Sequence, residues 1–186
     1  MIDFKEDVGG YKSRTIKNAT ADLTIAIAAD FSTGGEVLTQ KAAKMNGKRY
    51  LGIPLNSLHI DPDRVNQVVR VMNECEVKSL NIAGNGLYTL KGKYTQDQLD
   101  EFVLKLLKKV TEHPDLKNKL EFVRTGGQTG IDESGAKAGD KLGIPTLILA
   151  PKGWQLRTLD GRDVFDEHEF KMRFARTETK DDINEN

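Results

Sequence analysis

Short apolar segments alternate with amphipathic segments along most of this chain. Five apolar segments fit β-strands: 23–29, 49–55, 80–83, 120–124 and 145–150. The first of them is apolar at nearly every position, which is typical of a strand buried on both faces of a parallel sheet.

Helical patterns separate these strands. Apolar residues recur at the spacing of one helix face in 65–72 and most regularly in 95–112, where Thr95 and Gln98 form a capping box. Shorter helices are predicted over 36–45 and 132–142. This alternation predicts the α/β class: a Rossmann-like, doubly wound parallel sheet of about five strands in a three-layer α/β/α arrangement.

The pattern predicts one domain over 1–176. The charged segment 177–186 lacks apolar anchors and is predicted to be a disordered tail. We expect the spatial strand order fifth, fourth, first, second, third, with the helix over 95–112 crossing back over the sheet.

A glycine-rich turn joins the fourth strand to the next helix. It consists of Gly126, Gly127, Gln128, Thr129 and Gly130. Helix N-termini carry partial positive charge and unpaired N–H groups, and glycines allow close approach, so this turn predicts a cradle for an anion. The alternative is a tight turn that binds nothing. Under the cradle hypothesis, Gly127→Val should abolish ligand binding in a folded protein.

A second turn of this kind follows the first strand. Thr33, Gly34, Gly35 and Glu36 lead into the next helix. The carboxyl ends of parallel strands share one edge, so both turns are expected to line one pocket, with Lys152 near its rim as a phosphate contact. The turns lack the G-x-G-x-x-G and G-K-[ST] patterns of dinucleotide folds and P-loop ATPases.

Composition narrows the function classes. The 186 residues carry 28 Lys+Arg and 28 Asp+Glu, a net charge of zero with no basic stripe, which disfavours nucleic-acid binding. No apolar run reaches the roughly 20 residues needed to span a membrane, and residues 1–10 do not resemble a signal peptide.

The single cysteine fits a reducing, cytoplasmic location. His59, His113 and His168 are not at metal-ligand spacing, so no metal site is expected.

Several motifs resemble those of the molybdenum-cofactor carrier family of the SLOG superfamily. Residues 126–132 read GGQTGID, followed by LGIP at 142–145 and PKG at 151–153. The family's other motifs are present in a different order: RTIKN at 14–18, TGGEVLT at 33–39 and LNIAG at 80–84. The resemblance implies a circular permutation of a Rossmann-like nucleotide-ligand binder. Permutation would place Arg14 close to Lys152.

The resemblance implies a carrier or sensor for a nucleotide-derived or phosphorylated ligand, with a nucleotide or a molybdopterin-type compound as candidates. It adds Arg14, Asn18, Thr39 and Asp132 to the residues expected to bind that ligand. It also implies a homo-oligomer, associated through helices; the alternative is that the apolar face of 95–112 packs within one subunit.

The alternative function is that of the related cytokinin-activating phosphoribohydrolases, which cleave the N-glycosidic bond of nucleotides. The glutamate of their motif falls at Lys41 here, which favours binding over catalysis. If the chain is an enzyme, Glu36, Asp132 and Asp30 are the candidate catalytic carboxylates.

Overall fold

The computed structural model describes residues 1–175, so the prediction of a disordered tail over 177–186 lies outside the described residues. In this range the five predicted strands form one parallel sheet with a sixth, N-terminal strand that the sequence pattern did not indicate. The strands of the sheet are β1 (Ile2–Asp7), β2 (Leu23–Ala28), β3 (Arg49–Pro54), β4 (Ser79–Gly84), β5 (Phe122–Thr125) and β6 (Thr146–Pro151).

The four predicted helices are present, and three more occur in the described part of the chain. The helices are α1 (Gly10–Asn18), α2 (Gly34–Met45), α3 (Pro62–Glu74), α4 (Leu87–Leu90), α5 (Gln96–Thr111), α6 (Ile131–Lys141) and α7 (Glu167–Met172). The capping box of Thr95 and Gln98 starts α5 as predicted. A short 3-10 turn, Lys152–Trp154, leads into an antiparallel hairpin of β7 (Gln155–Arg157) and β8 (Asp163–Phe165).

The strand order is β1-β6-β5-β4-β2-β3, which corrects the predicted order at one strand. The third predicted strand, β4, lies between β5 and β2 rather than at the far edge. Because β4 and β5 are neighbours, α5 makes a short connection and does not cross the sheet. The chain leaves β2 for the outer strand β3 and returns to β4, which places the reversal of strand order between β2 and β4.

Helices cover both faces of the sheet, so the predicted three-layer α/β class is confirmed. The larger core joins α3, α5 and α6 to residues of β2 and β4 such as Leu23, Ile27 and Leu80, all nearly fully buried. On the other face α1 packs against α2, through Ala19, Ala42 and Ala43.

The apolar face of α5 is used within the subunit. Its six apolar side chains are all buried: Leu99, Phe102, Val103, Leu106, Leu107 and Val110. The face expected to remain for helix-mediated association therefore packs against the subunit's own core, as in the alternative given above.

Candidate functional site

A cavity of about 430 Å³ opens at the carboxyl ends of β2, β4 and β5 and extends along the sheet beneath α1 and α2. Both glycine-rich turns contribute to its wall. Eleven of the residues predicted from sequence line it: Arg14, Asn18, Thr33, Gly35, Glu36, Thr39, Gly126, Gln128, Thr129, Asp132 and Lys152.

Arg14 is the buried cation of this cavity. It lies on α1, its side chain is only 4 % exposed, and its Nη1 donates to the carbonyl oxygen of Gly126 at 3.2 Å. Lys152 lies across the same cavity at its exposed rim. Beside them β1 pairs with β6, and the Gly153 amide donates to Glu6 Oε1 at 2.6 Å. Arg14 and Lys152 therefore line the same cavity, and the circular permutation stays a prediction.

Asp30 does not line the cavity, although it was a candidate catalytic carboxylate. Its exposed side chain accepts hydrogen bonds from the amide and the hydroxyl group of Ser32, at 2.8 and 2.6 Å. These bonds lower the pKa of Asp30. The residue therefore serves as a turn former at the end of β2.

Three of the predicted glycines, Gly34, Gly127 and Gly130, are also outside the cavity lining. Gly127 has a φ of +68°, and a Cβ atom there would lie 2.5 Å from Ile148 Cγ2 and 2.9 Å from Phe170 Cζ. A side chain at this position would point into the core and not toward a ligand. The effect of Gly127→Val on binding stays a prediction, but the substitution would also disrupt packing, so lost binding in that variant would not by itself establish the cradle.

The amides of the Gly126–Gly130 turn already have acceptors within the protein. The amide of Gly127 donates to Thr125 Oγ1 at 2.9 Å, and that of Gly130 to Gln96 Oε1 at 2.7 Å. The backbone amides of Gly84, Gln128 and Gly126 lower the pKa of Asp132, so its carboxylate lies near them. The turn is therefore not a simple open cradle, because two of its amides donate to side chains of the protein and a carboxylate lies beside it.

A polar cluster behind the turn fixes the start of α6. Gln96 accepts from the Gly130 amide and donates to the Gly130 carbonyl oxygen at 3.0 Å, and it also donates to Asp100 at 2.7 Å. Asp100 in turn accepts from Lys137 Nζ at 2.7 Å.

The same cluster reaches the other end of the turn. Lys137 also pairs with Glu133, at 2.6 Å. Glu133 pairs with Arg173, whose Nη2 donates to the Gly127 carbonyl oxygen at 2.7 Å. The turn is therefore held from both sides by side chains that do not reach the cavity.

Asn85 joins the ends of three strands. Its Oδ1 accepts from the amides of Ala29 and Asp30, at 2.9 and 3.0 Å, and its carbonyl oxygen accepts from the Ile131 amide at 3.2 Å. The side chain is only 3 % exposed. Its side-chain hydrogen bonds link the β2 loop to the β4 loop.

Two carboxyl groups that line the cavity, those of Asp132 and Glu36, have raised pKa values. Burial raises the pKa of Asp132 to about 6, against the opposing effects of Arg14 and of nearby backbone amides. Burial and the negative charge of Asp132 raise the pKa of Glu36 to about 7. Near neutral pH the pair therefore supplies one ionised carboxylate and one carboxyl group that is about half protonated.

The hairpin β7–β8 forms one side of the cavity mouth, and sequence reasoning missed it. Gln128 Nε2 donates to the carbonyl oxygen of Gln155 at 2.8 Å, and Thr129 Oγ1 donates to that of Arg157 at 2.9 Å. Arg157 also forms a two-bonded ion pair with Asp163, at 2.8 and 2.9 Å. The polar, irregular sequence after Gly153 gave no strand signal, because both strands are three residues long.

The sequence analysis did not select the β4 residues that line the cavity, although the sequence contains an indication of one of them. Asn81 is a polar residue inside an apolar strand pattern, and it is 2 % exposed. A buried amide in a strand indicates a partner or a cavity on that face.

Within residues 1–175, no group of three or more His, Cys, Asp or Glu is placed to hold a metal ion. None of the helices described is long and apolar enough to cross a membrane.

No protein-family model matches this chain, and no curated protein matches it. Among solved structures, it is similar to an iron-containing alcohol dehydrogenase from Thermococcus thioreducens, with 10% identity and a TM-score of 0.40 over 80% of this chain and 45% of that one. It is also similar to the NADH-dependent butanol dehydrogenase A of Thermotoga maritima, with 14% identity and a TM-score of 0.37 over 81% of this chain and 42% of that one. The chain thus spans less than half the length of either protein.

Proposed function

We propose that this protein binds a nucleotide-derived or other phosphate-bearing small molecule in the cavity between α1, α2 and the sheet, as a carrier or a sensor. The observation that carries the proposal is the convergence of both glycine-rich turns, a buried arginine and two perturbed carboxyl groups on one cavity of about 430 Å³. Cavities of this size at a reversal of strand order are the usual ligand sites of parallel α/β sheets.

The phosphate is proposed to lie at the mouth of this cavity. Lys152 is exposed there, and Arg157 is at the same rim. The interior carries the carboxyl groups of Asp132 and Glu36, whose negative charge disfavours an anion, and the turn amides of Gly127 and Gly130 donate to Thr125 and Gln96. Cationic side chains at the rim are therefore better placed than the glycine-rich turn to bind phosphate.

The ligand class rests on the sequence resemblance together with this charge arrangement. Molybdopterin-type compounds and nucleotides share a polar heterocycle linked to phosphate, and both fit a cavity with a polar interior and a cationic rim. A cytoplasmic location and association into homo-oligomers belong to the same proposal.

A second candidate function, nucleotide N-glycosidase activity, is favoured by the two carboxyl groups. Breaking the glycosidic bond needs an acid for the leaving base and a carboxylate that stabilises the ribosyl cation or activates water. Glu36, with a pKa of about 7, suits the acid, and Asp132, with a pKa of about 6, suits the carboxylate.

One experiment tests the proposal and separates the two candidates. The protein is screened by thermal shift against AMP, ADP-ribose, NAD, cytokinin ribotides and molybdopterin, and each mixture is then analysed for free base by chromatography. A ligand at about 100 times its dissociation constant should add about 2.7 kcal/mol of stability. Stabilisation without base release supports a carrier or sensor, and base release that Glu36→Gln abolishes supports the enzyme. A screen with neither effect contradicts both.

A further inference from the structure

Three buried oxygen atoms in residues that line the cavity have no hydrogen-bond partner among residues 1–175: Asn18 Oδ1, Glu36 Oε2 and Asn81 Oδ1. Their side chains are 5 %, 4 % and 2 % exposed. A buried polar group without a partner costs on the order of 1–3 kcal/mol, so buried polar groups of folded proteins are nearly always paired. Three such atoms in residues around one cavity indicate that the partners come from a ligand.

The backbone places these three residues around the inner end of the cavity. Asn18 ends α1, Glu36 lies in the first turn of α2, and Asn81 and Ala83 alternate along β4 on the face beneath both helices. Ala83, a small residue on this strand, lines the cavity beside Asn81.

The chemistry of these atoms selects hydrogen-bond donors and disfavours anions. Amide and carboxylate oxygens accept hydrogen bonds, and the buried cation Arg14 is committed in part to the carbonyl oxygen of Gly126. Burial and the charge of Asp132 both raise the pKa of Glu36, so a second negative charge nearby is unfavourable.

We propose that Asn18, Glu36 and Asn81 form a subsite for an uncharged group that donates hydrogen bonds, the nucleoside part of the ligand, and that phosphate does not enter it. This inference rests on the proposed function and adds the orientation of the ligand: nucleoside inside, phosphate at the rim beside Lys152. The donors are either ribose hydroxyl groups or the N–H groups of the base.

Calorimetric titration with the four ribonucleosides and their 5′-monophosphates tests the subsite. We expect wild-type protein to bind at least one nucleoside without phosphate, and inorganic phosphate not to compete with it. Asn18→Leu and Asn81→Leu keep the side-chain size and should weaken nucleoside binding roughly three- to tenfold. Asn18→Leu should leave the unfolding temperature unchanged or higher, because it removes an unpaired acceptor. Asn81→Leu also removes the buried hydrogen bond from Asn81 Nδ2 to Thr24 Oγ1, so its unfolding temperature should fall. Lys152→Ala is the matched variant at the rim. It should weaken binding of the monophosphate and leave the affinity for the nucleoside unchanged.

The outcomes separate this inference from the function on which it rests. Monophosphate binding with unchanged nucleoside affinity in both leucine variants overturns the subsite alone, as does competition between inorganic phosphate and the nucleoside in wild-type protein. That competition needs no variant to fold. Absence of binding by every nucleoside also overturns the subsite, and the proposed function is contradicted only if all the compounds of the thermal-shift screen fail to bind as well. Titration with 2′,3′-dideoxynucleosides then assigns the donors: lost binding identifies the ribose hydroxyls, and retained binding identifies the base.

Discussion

The negative charge of Asp132, in the first turn of α6, raises the pKa of Glu36, in the first turn of α2. The two helices follow β5 and β2, which are separated in the sheet only by β4. Two acidic residues at helix starts are ordinarily stabilised as anions. Here burial around a shared cavity outweighs that stabilisation and raises both pKa values, so the pair of carboxyl groups keeps a bound proton near neutral pH.

This proton makes the stability of the protein depend on pH. The pKa of Glu36 is about 7 in the folded protein and 4.5 in its ordinary state, so the folded state binds more protons between these values. Stability therefore falls as pH rises from about 4.5 to about 7, by roughly 3 kcal/mol for this residue. Asp132 acts in the same direction, from 3.8 to about 6.

Glu36→Gln should remove most of this dependence and make the protein more stable than wild type at pH 8. Urea unfolding at pH 5 and pH 8 measures it, with the exposed Glu74→Gln as control. A stability difference between pH 5 and pH 8 that is as large in Glu36→Gln as in wild type would show that Glu36 ionises normally, because Asp132 alone accounts for only part of it.

Alanine substitutions at Gly127 and Gly143 separate two contributions to the loss of stability, poor packing and backbone strain. Both have nearly the same positive φ, +68° and +69°, but a Cβ at Gly143 meets nothing within 4 Å, whereas one at Gly127 meets Ile148 and Phe170. Gly143→Ala should cost about 1–2 kcal/mol from strain alone. Gly127→Ala should cost roughly 1–3 kcal/mol more, from overpacking. Equal losses in chemical denaturation would mean that the turn relaxes away from the core.

Gln96 is predicted to hold the glycine-rich turn without touching a ligand. Gln96→Ala removes the side chain that accepts from the Gly130 amide at 2.7 Å, and one of the donors to the Gly130 carbonyl oxygen, at 3.0 Å. That oxygen keeps the amide and hydroxyl donors of Ser134. We expect a loss of about 1–3 kcal/mol in unfolding free energy and faster hydrogen exchange at the Gly130 amide. The exposed Gln40→Ala on α2 serves as the control. Unchanged protection at Gly130 would show that the amide is held by something else.

Gln128 is predicted to dock the β7–β8 hairpin on the cavity mouth. Its side chain bonds the carbonyl oxygen of Gln155 at 2.8 Å and the amide of Arg157 at 3.3 Å. Gln128→Ala should increase deuterium uptake in 155–165 while leaving the β2 and β4 peptides unchanged. Uptake that rises equally across the sheet would instead indicate global destabilisation.

The sequence predicted the fold class, the five central strands and the main helices because each carries a strong apolar pattern. β1 was missed because it is an edge strand in which apolar Ile2 and Phe4 alternate with charged residues. The position of β4 was wrong because periodicity says nothing about which strands pair, and the glycine-rich turns were taken to flank the reversal of strand order directly.

The candidate site was predicted in part. Motif residues such as Arg14, Glu36 and Asp132 line the cavity, because strand ends of a parallel sheet share one edge. The sequence could not indicate that Thr125 and Gln96 accept from amides of the glycine-rich turn, or that a hairpin with two strands of three residues lines the mouth of the cavity. Both depend on contacts between residues far apart in the chain.

The central claim is that this cavity binds a phosphate-bearing, nucleotide-like molecule, and the most direct test is isothermal titration of the wild-type protein at pH 7 with the compounds screened above. The account predicts saturable binding of at least one of them, with one site per chain and weaker affinity in the rim variant Lys152→Ala. No saturable heat from any of them at millimolar concentration, or affinity unchanged in Lys152→Ala, would contradict it.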